Sequence, residues 1–217
     1  MPTLRRRFLA TTGTLAAAAL ALPALASSRR ILTPMTDGPF YPARAWRERW
    51  ADWDADLTRV EREGRVLTAR GEQLGLEATV ADTQGRVVDG AEVEIWQCDV
   101  TATYRHPRQP DAPDRIDEGF QGFGATRSGR DGTLRFRTIR PVPYPGRTPH
   151  IHVKLRHASF GELTSQLFIA GDAGNERDFL WRQVEPADRA ALEMALQPAP
   201  PASGLRWLVR QTLVVPA

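Results

Sequence analysis

The run His150-Ile151-His152-Val153-Lys154-Leu155 sets two imidazoles two residues apart, with apolar residues between and beyond them. Side chains alternate faces along a strand, so His150 and His152 point to one side while Ile151, Val153 and Leu155 point into a core. Two imidazoles side by side form half of a metal site. Tyr144 lies just upstream, in the proline-rich stretch Pro141-Val142-Pro143-Tyr144-Pro145-Gly146, which cannot be helix. A phenol, with a pKa of about 10, ligates well only to a cation strong enough to take its proton. Ferric iron, hard and triply charged, is such a cation. Taken alone, these residues fit a surface strand with two histidines better than a metal site, so the rest of the chain has to decide.

The elements that must position these residues are strands. Leu74 to Ala81, Ala91 to Cys98, Thr133 to Ile139, His150 to Leu155, Ser165 to Ala170 and Leu205 to Val215 read as short β segments punctuated by Gly and Pro. Such a series predicts a mainly β fold, an antiparallel sandwich. One helix is predicted over Pro186 to Leu196, with Pro at its start and Pro198 beyond its end. Residues 27–70 read as an extended N-terminal arm with a short helical or irregular piece. In it Trp46, Trp50 and Trp53 stand at helical spacing, which argues for packing rather than chemistry. The stretch between Tyr104 and Phe120, rich in Pro, Asp and Arg, reads as a surface loop and a pocket rim. The expected organisation is residues 1–26 as an export signal, 27–70 as the arm and 71–217 as the sandwich domain.

The 217 residues suffice for one domain with a full core. The net charge of +3 suggests an acidic partner at first. That impression fails, because Arg5, Arg6 and Arg7 stand in a segment 1–26 that holds no acid, and the remainder carries 26 basic against 26 acidic residues. A nucleic-acid footprint is therefore not expected. Arg5-Arg6-Arg7-Phe8-Leu9 followed by the Ala-rich run to Ala26 reads as a twin-arginine export signal, with Ala24-Leu25-Ala26 as its cleavage site. The run is too short and too weakly apolar for a stable membrane span. The expected destination is periplasm or medium. The single cysteine, Cys98, rules out an internal disulfide framework.

Several motifs, in order along the chain, carry a family resemblance. Tyr144-Pro145-Gly146-Arg147-Thr148-Pro149-His150-Ile151-His152 resembles the intradiol ring-cleavage dioxygenases, in the short-loop form of exported members. Thr36-Asp37-Gly38-Pro39-Phe40-Tyr41 resembles a segment near the start of many such enzymes, which helps to wall the substrate pocket. Glu94-Ile95-Trp96-Gln97-Cys98-Asp99 with Tyr104 is similar to the stretch that supplies the first iron ligand. Phe120 to Thr126 with Asp131-Gly132, and Ser165-Gln166-Leu167-Phe168 with Gly171-Asp172, resemble later segments.

The resemblance implies one non-haem Fe(III) per chain, held by Tyr104, Tyr144, His150 and His152. It implies a transthyretin-like sandwich, and a reaction in which O2 is inserted between the two hydroxyl-bearing carbons of a catechol to give a cis,cis-muconate-type diacid. Two tyrosinates and a hydroxide balance ferric charge, and a catechol dianion can replace the hydroxide and one tyrosinate. By resemblance Tyr144 is the ligand that leaves and acts as base, Arg147 stabilises negative charge on the ring, and Gln166 hydrogen-bonds an oxygen. Tyr41 and Gly146 are expected at the substrate pocket. With Gly146 there and no insert before Arg147, larger catechols fit the mouth. The chain departs from the family at Val142-Pro143, at Thr101-Ala102-Thr103 and at Arg127-Ser128, none of them a ligand position.

Rival readings fit less well. A cupin needs Glu four or five residues after the second histidine, where this chain has Arg156 and His157. Ferrous extradiol enzymes need a carboxylate with two histidines, and no acid stands close in sequence. A transthyretin-like binding module without activity shares the strand pattern but gives no reason for the two tyrosines. Homodimerisation through the arm is compatible with the sequence and not dictated by it.

Overall fold

The computed structural model describes residues 29–42, 54–108 and 115–217. The proposed signal, the three spaced tryptophans and part of the loop after Tyr104 lie outside them. Eleven strands are described: β1 (Arg59–Arg62), β2 (Arg65–Thr68), β3 (Gln73–Asp82), β4 (Glu92–Trp96), β5 (Phe123–Arg127), β6 (Thr133–Ile139), β7 (His150–His157), β8 (Gly161–Ile169), β9 (Glu193–Met194), β10 (Gln197–Pro198) and β11 (Trp207–Val215). Besides the two-stranded β1–β2 pair, one sheet has the order β10-β11-β3-β6 and another β5-β4-β7-β8-β9.

The two sheets pack as the predicted sandwich because their strands alternate. Leu74, Leu76 and Val80 from β3, Leu134 and Phe136 from β6, and Val209, Leu213 and Val215 from β11 meet Val93, Ile95, Ile151, Val153, Leu155 and Leu167 from the other sheet in one buried cluster. Each such aliphatic side chain contributes about 1.5–3 kcal/mol on leaving water. Two pairings depart from an antiparallel plan: β11 runs parallel to β3, and β9 parallel to β8. A parallel pair cannot be joined by a hairpin and needs a long crossover; for β3 and β11 that crossover is most of the domain.

The segment predicted as a helix is not one. Pro186 to Leu196 forms a short 3-10 turn at Arg189–Ala191 and then β9. Leu192 and Met194 are fully buried beside β8, so their apolar character served a sheet edge rather than a helix face. Among the described residues all helical structure is single 3-10 turns. The arm region holds an unforeseen hairpin, β1–β2, closed by Glu63 and Gly64 at positive φ (52° and 71°). The arm itself crosses between the sheets: Leu32 donates to Val214 O at 3.0 Å and Met35 to Thr164 O at 2.8 Å.

Candidate metal centre

Strand β7 is buried on both faces. Its odd residues enter the sandwich core, and its even residues, His150, His152, Lys154 and Arg156, line the outer face of the sheet. Antiparallel register lays neighbours beside them: His152 lies between Trp96 and Gln166, Lys154 between Glu94 and Thr164, and Arg156 between Glu92 and Glu162. One end of this face is thus aromatic and nitrogen-bearing, the other ionic. The arm covers both ends.

At the ionic end Lys154, 4% exposed, bonds Asp37 at 2.7 Å and Glu162 at 3.3 Å. Its ammonium sits 4.1 Å from the Tyr41 ring centre. Tyr41 donates to Glu94 at 2.6 Å and accepts from Arg156 at 2.8 Å. The Tyr41 hydroxyl therefore belongs to the ionic cluster, while its ring meets Trp96 edge-on. Its neighbour Phe40 is the aromatic that stacks on Tyr104, at 4.6 Å and 18°. Of this adjacent pair it is thus Phe40, rather than the expected Tyr41, that meets a proposed ligand ring face to face.

At the other end four donors gather. His150 Nε2 is 3.3 Å from His152 Nε2 and 3.5 Å from the Tyr104 hydroxyl. The Tyr144 ring lies 5.7 Å from that of Tyr104 and 5.5 Å from that of His150. His150 Nδ1 is 2.7 Å from the carbonyl of Thr148. A carbonyl only accepts, so Nδ1 carries the proton and Nε2 offers a lone pair to the cluster. Trp96 stacks on His152 at 4.7 Å, and Gly38 passes against the same ring.

Burial governs the electrostatics. It lowers the pKa of His150 to about 4, helped by the Arg147 charge, and that of His152 well below the ordinary value, helped by His150. Burial also raises both phenols, with the neighbouring Tyr144 adding to the rise at Tyr104 and Arg147 opposing it at Tyr144. Two neutral imidazoles and two phenols that keep their protons do not satisfy every polar atom here, and His152 Nδ1, Trp96 Nε1 and Gln166 Nε2 have no hydrogen-bond partner. A strongly acidic cation would turn facing lone pairs into ligands and ionise the phenols. Among the described residues no group of three or more His, Cys, Asp and Glu converges to hold a metal. A cation at the histidines would have the two tyrosines as its neighbouring oxygen donors, a set that suits a hard ion such as Fe(III). The donor set fits the group that the resemblance implies.

Arg147 reaches this cluster through a tight turn. Pro145 and Gly146, the latter at φ +82°, occupy the central positions that a type II turn demands, and Arg147 N donates to Tyr144 O at 2.8 Å. The guanidinium then donates to the Tyr144 hydroxyl at 3.3 Å, to Asp178 at 2.8 Å and to Gln166 Oε1. Asp178 was not foreseen: its partner is 31 residues away in sequence, and no local pattern marks it. Gly146 and Arg147 also line a cavity of about 650 Å³ with Val142, Pro143 and Asp178. That cavity adjoins the donor cluster without being lined by any of the four donors. Cys98 is buried, its thiol raised to about 12 by burial and Asp99, as suits a packing residue. His106 and His157 lie apart, against Phe40 and Ser159 respectively.

Residues 36–196 match the dioxygenase family Dioxygenase_C, and the chain belongs to this family, among the intradiol ring-cleavage dioxygenases. It is 36% identical over 129 residues to the protocatechuate 3,4-dioxygenase beta chain of Burkholderia cepacia, covering 55% of this chain and 53% of that protein. It is 29% identical over 136 residues to the hydroxyquinol 1,2-dioxygenase of Corynebacterium glutamicum, covering 54% and 43%. The chain spans about half the length of these curated relatives. Among solved structures it resembles the dioxygenase domain of a dioxygenase–carbohydrate-binding protein fusion from Streptomyces sp. SirexAA-E, with a TM-score of 0.61 and 25% identity over 86% of this chain and 99% of that one.

Proposed function

We propose that the protein is a non-haem Fe(III) intradiol dioxygenase that cleaves catechol-type aromatics between their two hydroxyl-bearing carbons. The observation that carries this reading is that His152 Nε2 and the Tyr104 hydroxyl both lie within 3.5 Å of His150 Nε2, with Tyr144 beside them under Arg147. A ferric ion held by the four donors would supply the Lewis acidity that makes a bound catecholate reactive toward O2. Tyr104 and the histidines, at most 3% exposed, are fixed. Tyr144 alone of the four is partly exposed, and is the donor free to swing out and take a proton from the incoming diol. Arg147 keeps a positive charge where negative charge gathers on the ring.

Two adjacent hydroxyls are required of the substrate, since only their two negative charges replace those of hydroxide and Tyr144. Both atoms of O2 end in the product, whose ring carbon–carbon bond is broken, leaving a diacid. Ring substituents are accommodated at Gly146 and the cavity beside it, which exceeds a single ring in volume. The relatives act, by their names, on protocatechuate and hydroxyquinol, and both belong in a test panel with catechol and caffeate. Oxygen uptake with a product heavier by two oxygen atoms is expected. A yellow semialdehyde would instead mean extradiol cleavage, and tight binding without oxygen uptake a binding module.

Residues 1–26 we propose to direct export by the twin-arginine route, which carries folded, metal-loaded proteins. Changing Arg5 and Arg6 to Lys should leave the protein in the cytoplasm; export that survives the change rejects the route.

A further inference from the structure

Asp178 touches none of the four donors, yet it organises the side of the site that faces them. Its side chain is wholly buried and ion-pairs with Arg147, itself 8% exposed. One carboxylate oxygen accepts from Arg147 Nε at 2.8 Å and from the backbone N–H of Thr148 at 3.0 Å. The other accepts from the N–H groups of Leu180 at 2.9 Å and Trp181 at 3.2 Å. Four donors converge on one anion, so its position is over-determined.

What it holds matters on the far side. With Nε tied to Asp178, the fork of Arg147 can reach only outward, where Nη1 meets the Tyr144 hydroxyl and Nη2 meets Gln166 Oε1. Because Oε1 accepts from the guanidinium, the amide of Gln166 is fixed with Nε2 on the opposite side. That Nε2 is buried and has no partner, which leaves its N–H groups for a ligand oxygen. The same Asp178 oxygen pins the backbone N–H of Thr148, the residue whose carbonyl meets His150 Nδ1.

We infer that Asp178 is the positioning residue of the site: it aims Arg147 at Tyr144 and, through Arg147, orients the Gln166 amide toward the reacting molecule. This rests on the proposed ferric site, but the contacts exist without a metal and can be tested without one.

Asp178→Asn keeps the volume and reverses half the hydrogen bonding. Whichever way the amide turns, its NH2 faces two N–H donors, and the polar match on one side is lost. Asn175→Ala is the control: it removes the bond that Asn175 accepts from the Thr148 hydroxyl and the one that it donates to Ile169 O without touching Arg147. Both variants should melt earlier. Only Asp178→Asn should cut kcat, by roughly 10–100-fold, the penalty of a misplaced catalytic group, with KM within about threefold on the same basis. It alone should also move the maximum of the tyrosinate-to-iron absorption, because the cation beside Tyr144 is displaced. Equal kcat and equal absorption maxima in the two variants would overturn the inference while leaving the ferric reading intact.

If the wild-type protein holds no iron, that reading fails instead, and crystal structures of the variants still decide this one. Arg147 displaced from Tyr144 and Gln166 in Asp178→Asn supports it; Arg147 unmoved overturns it. Should Asp178→Asn not fold, Arg147→Lys asks the same question. It keeps the charge but cannot span Asp178, Tyr144 and Gln166 together, and near-wild-type kcat in that variant would count against positioning.

Discussion

His150 and His152 turn their Nε2 atoms toward each other at 3.3 Å, inside a fold that leaves neither ring in water. The His150 atom is a bare lone pair, since its Nδ1 proton is committed to Thr148. Charging either ring would set a cation against its neighbour and against Arg147. The pair is built to stay neutral, as metal ligands must be.

The pH dependence of the metal-free protein follows from this. Both folded-state pKa values are depressed, that of His150 to about 4, so between roughly 6.5 and 4 the unfolded chain binds more protons than the folded one. The stabilisation is complete above the unfolded value of about 6.5 and is lost as pH falls, at up to about 1.4 kcal/mol per pH unit for each histidine. Thermal melts of the apo protein should decline across this window, and His152→Gln should flatten the decline. Melting that ignores pH there would mean that the rings are not neutral and buried.

Purified protein should be red-brown, with iron near one equivalent. Tyr104→Phe removes a buried oxygen donor that nothing nearby can replace, and should cost most of the iron and the colour together. Tyr144→Phe removes the donor at the exposed side, and should shift the band while keeping iron. Absorption spectra beside elemental analysis check both; a colourless, zinc-loaded wild type from iron-replete cells contradicts the set.

Ala102 sits at φ +63° in the turn that leads to Tyr104, closed by its own N–H to Asp99 O at 3.0 Å. An L side chain in this region is strained by about 1–2 kcal/mol, part of which glycine gives back through its freer unfolded chain. Ala102→Gly should therefore stabilise by about 0.5–1 kcal/mol, raising Tm by some 2–4 °C per kcal/mol. A lower Tm would show that the turn tolerates its alanine.

Lys154 is the only lysine in the chain, and its salt bridge to Asp37 fastens the arm that carries Phe40 onto Tyr104. Asp37 is 38% exposed, so water screens part of the interaction, and Asp37→Ala should cost about 1–2 kcal/mol. Hydrogen exchange across residues 36–41 should quicken with it. Unchanged exchange there would place the hold on the arm elsewhere.

Much of this was legible in the sequence. The alternation of β7 announced both its histidine face and its core face, and Thr133 to Ile139 matches β6 residue for residue. What failed did so for tertiary reasons. Leu192 and Met194, two apart, read as part of a proline-bounded helix, yet a free edge on β8 drew them into parallel pairing. The hairpin β1–β2 hid in a charged stretch because its strands are mostly exposed. Tyr104 entered only through family resemblance, since 40 residues separate it from Tyr144. Asp178 had no signal at all: what marks it is the set of donors around it, and those come from distant turns.

The pairing of β3 with β11 has a consequence for how the protein is made. Strand β11 lies inside its sheet, flanked by β10 and β3, and its last paired residue is Val215. Synthesis therefore reaches this partner of β3 only after the other described strands of the sandwich have been made, and until then β3 waits with one edge bare. Contacts so distant in sequence fold slowly, and a bare strand edge invites pairing with other chains. Expression hosts with ample chaperone capacity, and tags placed so that they do not crowd β11, should give the best yield of folded protein.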